Sequence, residues 1–299
     1  ADLKEELNEL SSLAVSPEEQ SPIQLLKALL SRHRIIREFA AHRLASLNAQ
    51  PLEGISLNDR DTYDILRQSL LRDNNELKTN IVKLTTKLQG QYRDELLLLA
   101  LNSENPNVLI NAIESVDRKW GKKAVTALKK TLQSPNAAVR EAAANALGKT
   151  GSPKAIPVLR DALRDDAENV RWFAVEGLRK LNAVDAVPQL CNLATDDPSP
   201  LVREIAVTTL GEMGQPAAVP SLRKALKDKN KRVRERSVSA LKELGQTNVE
   251  RATVISDVLA GAGHTGDALD VLRSFISNNG KITPSKTLGI RKKIATILK

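Results

Sequence analysis

The stretch VREAAANALGKTGSPKAIPVLRDALRDD, residues 139–166, decides the fold. Ala143 and Leu147, then Ile156, Leu159 and Leu163, recur three and four residues apart, the spacing of one helical face. Gly148 and Gly151 punctuate the gap between the two apolar runs. The unit reads as helix, short turn, helix. Pro157 falls near the start of the second helix, where a missing N–H costs nothing. Neither helix is long enough to stand alone in water, so stacking must bury its apolar stripe.

Working outward, the same pattern returns in step. Arg140, Arg171, Arg203 and Arg234 are spaced 31, 32 and 31 residues apart, each after a valine: Val139, Val170, Val202 and Val233. Pro157, Pro188 and Pro220 keep the same step. Self-similarity at such a period means stacked supersecondary units, which predicts an all-α solenoid, a right-handed superhelix of about six to seven helix pairs. Fainter copies run toward the N-terminus. Leu109 lies 31 residues before Arg140, and Lys78 lies 31 before that. Arg37 opens IREFAAHRLASL, an echo of VREAAANALGKT, but stands 41 residues before Lys78. The surplus is assigned to a loop near residues 48–58, where Pro51 and Gly54 sit. The chain therefore divides into an N-terminal helical cap (1–31), degenerate repeats (32–104), regular repeats (105–248) and a C-terminal helical cap with a basic tail (249–299).

The pattern of VREIAVTTLGEMGQPAAVPSLRKALKD (202–228) and its sister copies resembles the HEAT-like repeats named after phycobilisome lyases. The resemblance covers residues 105–245. It implies a ladder in which an Asp closing one unit faces the Arg opening the next: Asp166 to Arg171, Asp197 to Arg203, and Asp228 to Arg234, with Arg140 heading the series. It also implies that the second helices line a concave face. Aligned copies put Lys129, Arg160, Cys191 and Arg223 in one column, Lys130, Asp161, Asn192 and Lys224 in the next, and Gln133, Arg164, Thr195 and Lys227 in a third. The first and third columns are mostly basic, so the inner surface is expected to carry positive charge.

Composition narrows the function classes. The 299 residues carry 45 Lys and Arg against 36 Asp and Glu, a net charge of +9. Residues 1–31 hold two lysines against six acids, so the remainder carries +13. The segments KDKNKRVRER (227–236) and 280–299 are the densest. A basic excess of this kind attracts acidic partners without choosing among them. Seven aromatic residues leave few stacking platforms for nucleic acid. No apolar run is long enough for a membrane span, and ADLKEELNEL lacks the basic start and apolar run of a secretory signal. The single cysteine, Cys191, excludes an internal disulfide and suits a reducing, cytoplasmic setting. It has no nearby histidine or second cysteine to share a metal, so neither metal nor cofactor is called for.

No enzyme motif is found. The glycines of AGAGHTGDAL (260–269) follow no strand and precede no Gly-Lys-Ser/Thr, so they mark a helix stop and restart. Trp172 breaks a glutamate column (Glu141, Glu204, Glu235), and Phe173 breaks an aliphatic one (Ala142, Ile205). The pair is either a partner anchor or a local repacking of the core. The leading expectation is a scaffold that binds an acidic protein surface through Lys129, Lys130, Arg160, Arg164, Arg223, Lys224 and Lys227. The resemblance also implies a bilin lyase or lyase-like chaperone handling a tetrapyrrole. Nucleic-acid binding through the basic surface is the third.

Overall fold

A computed structural model describes residues 11, 21–47, 52, 55–56, 58–72, 74–116, 118–246, 248–278 and 284–298. Most of the expected N-terminal cap, most of the loop near 48–58, and Lys281 and Lys299 of the basic tail lie outside these residues. The described residues form 17 α-helices with short 3-10 turns and no strand. They group into two compact units, residues 1–150 and 151–299.

The first unit runs α1 (Pro22–Ala28), α2 (Arg34–Ser46), α3 (Arg60–Leu71), α4 (Asn75–Lys87), α5 (Arg93–Ala100), α6 (Pro106–Glu114), α7 (Gly121–Thr131) and α8 (Ala137–Lys149). Even-numbered helices stack on one another as one layer, α2 on α4, α4 on α6 and α6 on α8. Odd-numbered helices form the other, with α1 against α3 and α3 against α5. The second unit repeats the plan with α9 (Ala155–Ala162), α10 (Glu168–Lys180), α11 (Val187–Asp196), α12 (Pro200–Met213), α13 (Val219–Ala225), α14 (Lys231–Gly245), α15 (Val249–Gly261), α16 (Thr265–Asn278) and α17 (Pro284–Ile297). The chain is an all-α solenoid. Its described residues hold eight helix pairs and a final helix where six to seven pairs were expected. The reason is that the segments read as caps pair in the same manner as the repeats, α1 on α2, α15 on α16 and α16 on α17.

In each unit the core lies between the layers. In the first, Val139, Ala143 and Leu147 are buried on the even layer and Leu128 on the odd; in the second, Val170, Ala174, Leu178, Val202, Ala206, Leu210, Val233 and Leu241 are buried on the even layer and Leu159, Leu190 and Leu222 on the odd. Small residues let the helices approach closely. A Cβ built on Gly211 of α12 would lie 2.6 Å from Ala240 Cβ of α14, so that position tolerates no side chain without movement.

A polar column that the sequence reading passed over starts the even helices. The N-cap residues are Asn74, Asn105, Asn136, Ala167, Ser199 and Asn230, in step with the repeat. Each Asn or Ser side chain accepts from a backbone N–H of the first turn; Asn136 takes Ala138 N at 2.9 Å and Asn230 takes Arg232 N at 2.9 Å. Two residues earlier runs a companion column of Ser103, Ser134, Asp165, Asp197 and Asp228. Its side chains accept the cap residue's own N–H, at 2.8 Å for Asp197 and Asp228.

Candidate functional site

The repeated arginine is the fourth residue of its helix, and its guanidinium folds back onto the turn before it. Nη1 of Arg37, Arg140, Arg171, Arg203 and Arg234 each donates to the carbonyls six and five residues earlier. For Arg171 these are Asp165 O at 2.8 Å and Asp166 O at 3.0 Å. A fixed cation there closes each turn onto its own even helix.

The remaining edge of the fork finds a carboxylate one repeat further on. Arg171 Nε and Nη2 donate to Asp197 at 2.8 and 3.0 Å, and Arg203 Nε and Nη2 donate to Asp228 at 2.7 and 3.0 Å. Both pairs are bidentate and almost wholly dehydrated, with side chains 9% and 1% exposed in the first and 4% and 8% in the second. This corrects the ladder. The carboxylate of Asp197 meets Arg171 rather than Arg203, and that of Asp228 meets Arg203 rather than Arg234. Arg203 and Arg234 take only the backbone carbonyls of those aspartates. The third acid in register with them is Asp165, not Asp166, because it is Asp165 that closes its turn two residues before the cap. The Asp197 hydrogen bonds lead in raising the Arg171 pKa, against its burial. Burial pushes the Asp228 carboxyl up, but the hydrogen bonds from Arg203 and Asn230 N, with the charges of Arg203 and Lys229, hold it below its ordinary value.

These pairs form the floor of two surface grooves between successive odd helices of the second unit. One, of about 530 Å³, lies between α9 and α11 and is lined by Arg160, Arg164, Asp166, Arg171, Asn192 and Asp197 among others. Gln189 bridges it. With its amide oriented to satisfy both ends, the oxygen accepts from Arg160 Nη2 at 2.6 Å and the nitrogen donates to Ala186 O at 3.2 Å. The other, of about 820 Å³, lies between α11 and α13, with Arg203 and Asp228 at its base and Asp196, Arg223, Lys224, Lys227 and Lys229 at its rim. Lys224 is engaged by Asp196 at 2.9 Å. Asp228 and Asp197 are engaged by the ladder. Arg223, Lys227 and Lys229 meet no carboxylate among the described residues, which leaves this groove positively charged.

The structure thus brings Arg160 and Arg164 to one groove and Arg223, Lys224 and Lys227 to the next. Lys129 and Lys130 are exposed at the end of α7 in the first unit and line neither groove. Cys191 is a half-buried free thiol, and no cluster of metal-binding side chains occurs among the described residues. Trp172 and Phe173 are half-buried on α10 and meet edge to face, their ring centroids 5.0 Å apart. The glutamate that replaces Trp172 on α12, Glu204, is itself tied down, facing Arg236 at 3.4 Å and Arg232 at 3.7 Å on α14.

Stacked helix pairs with an in-register Arg and Asp ladder define a HEAT-repeat scaffold. A HEAT-repeat profile matches residues 94–179, 163–242 and 187–267, so the chain belongs to the HEAT-repeat family. No curated protein matches it. Among solved structures, an engineered protein is 17% identical, with 93% of this chain and 89% of that one covered at a TM-score of 0.56. The E. coli protein YibA is 19% identical, with 86% and 94% covered and the same TM-score of 0.56. Both likenesses are of fold alone. The complex of CpcE and CpcF of phycocyanin lyase from Nostoc is 18% identical over 93% and 95% of the chains, but its TM-score of 0.37 is too low to transfer anything. No helix among the described residues is long and apolar enough to cross a membrane.

Proposed function

We propose that this chain is a protein-binding scaffold whose second-unit grooves hold an acidic segment of a partner. The observation that carries this reading is the groove between α11 and α13, where Arg223, Lys227 and Lys229 stand around a dehydrated ion pair with no carboxylate of their own. Extended acidic chain laid there would meet three free cations, and the neighbouring groove offers Arg160 and Arg164. Neither groove is lined by an aromatic ring, so the recognition on offer is charge and hydrogen bonding rather than base stacking. The buried Arg203–Asp228 pair keeps the floor rigid, so little ordering cost falls on binding.

A fluorescent hexaglutamate peptide is a suitable probe. It should bind the wild-type chain with an affinity that falls steeply with salt. The triple variant Arg160→Glu, Arg223→Glu, Lys227→Glu should slow association and flatten that salt dependence. Co-purification of the same native partners by wild type and triple variant would place the interface elsewhere. A single-stranded oligonucleotide binding more tightly than the peptide would favour nucleic acid instead.

A further inference from the structure

The two grooves of the second unit occupy matching places in successive repeats, yet their walls differ. Each has a bidentate pair beneath it, Arg171 with Asp197 in the first and Arg203 with Asp228 in the second. They adjoin, since Asp196, Asp197 and Pro198 line both. One segment of partner chain can therefore enter both.

The wall contributed by α13 and the turn after it carries Arg223, Lys224, Lys227 and Lys229, all exposed. The matching places on α11 and its turn hold Cys191, Asn192, Thr195 and Pro198, none of them charged. Pro198 and Lys229 match because each directly precedes the N-cap of the next even helix. Apolar bulk runs the other way. Half-buried Leu193 stands in the first groove where buried Ala225 stands in the second. With Leu163 and Pro198 it gives the first groove an apolar side. The ladder pairs neutralise themselves. Beyond them, Arg160 and Arg164 share the first groove with Asp166 and Asp196, whereas in the second four cations face Asp196 alone. An acid in the first groove thus gains little from balanced charge, while an aliphatic side chain there removes Leu193 from water.

We propose that a single extended segment of the partner crosses both grooves, and that each groove reads a different side chain: acids between α11 and α13, and one aliphatic side chain between α9 and α11. This rests on the acidic-segment reading above and adds an apolar determinant to it. Packed helices lie about 8–10 Å apart. About three residues of polyproline-II chain cover that step at ~3.1 Å each, and side chains three apart share one face. The segment therefore carries its aliphatic residue about three positions from the nearest acid.

Fluorescent peptides titrated into the full chain provide the test. Each carries three glutamates and, three positions from the nearest of them, one leucine; both chain orders are made. Control peptides have serine in place of the leucine. In one order, the change from leucine to serine should weaken binding to the wild type about tenfold. Asn192→Lys with Leu193→Ala gives the first groove the residues that α13 already carries at the matching places. In that variant, shown by circular dichroism to be folded, the advantage of leucine should shrink to about twofold or less, and hexaglutamate should bind more tightly than it does to the wild type. Leucine and serine peptides that bind the wild type equally in both orders would overturn the apolar determinant and leave the acidic reading standing. A leucine advantage undiminished in the double variant would equally overturn it. If no acidic peptide binds at all, both readings fall.

Discussion

Arg203 and Asp228 are both under a tenth exposed, so their attraction is only part of what a mutation would reveal. Removing one partner strands the other charge away from water. Arg203→Ala should therefore cost about 3–5 kcal/mol in unfolding free energy, while Arg203→Met with Asp228→Leu should recover most of that loss. Chemical denaturation of the two variants checks both halves; equal losses would mean that the turn needs the charges themselves. The repeated arginine was legible from its 31-residue step, because a periodic residue stands out in any alignment of copies. Its partner was not. The family resemblance pointed to the acid five or six residues before, whereas the guanidinium reaches only backbone carbonyls there and finds its carboxylate 25 or 26 residues ahead. Trp172 is a second residue-scale question. Half-buried beside Phe173, it is placed to serve packing and contact together. Trp172→Ala should cost about 2 kcal/mol or more in partner affinity if the ring is an anchor. A stability loss of about 3–5 kcal/mol with unchanged affinity would assign the ring to the core instead.

At the scale of elements, the cap column explains why α4, α6, α8, α12 and α14 begin where they do, while α2, after His33, and α10, after Ala167, lack a side-chain cap. Ala167 has the extended backbone of an N-cap, φ −80° and ψ 125°, yet offers no side-chain acceptor. Asn136 and Asn230 fill the equivalent position with φ −85° and −84°. Ala167→Asn should therefore stabilise the second unit by about 1 kcal/mol, read as a rise in the denaturation midpoint without a change in slope. The converse case is Gly211, where α12 passes close to α14. Gly211→Ala should cost about 1–3 kcal/mol, since its Cβ would meet Ala240 Cα at 2.8 Å as well as Cβ. The helices themselves were legible, because three-and-four spacing survives even in degenerate copies. The caps were equally present in the sequence as a step of 31 or 32 residues through Asn74, Asn105, Asn136, Ala167, Ser199 and Asn230. They went unread because the apolar stripe, not the polar punctuation, set the register.

At the scale of the whole molecule, the least exposed of the described acids with a depressed pKa, Asp228 and Glu176, both lie in the second unit. The Asp228 carboxyl is held below its ordinary value of 3.8, and Glu176 is held below 4.5, chiefly by the hydrogen bond from Arg179. A group depressed in the folded state contributes stability that is fully present above its unfolded pKa and is lost as pH falls through the folded one. The second unit should therefore hold its stability from neutral pH down to about pH 4.5 and lose it progressively below about pH 4. Protonating Asp228 leaves the buried Arg203 guanidinium without its counter-ion. The two units carry this liability unequally, because among the described residues the paired Arg171 and Arg203 both belong to residues 151–299. Hydrogen exchange between pH 7 and pH 3, with rates corrected for intrinsic pH dependence, should show protection in α10, α12 and α14 falling before that in α4 and α6. Replacing Asp228 by Asn abolishes its titration. That variant should start less stable at pH 7, and its stability should fall less steeply between pH 4.5 and pH 3 than that of the wild type. A parallel fall in the two proteins would assign acid sensitivity to other carboxylates and remove the ladder from the account.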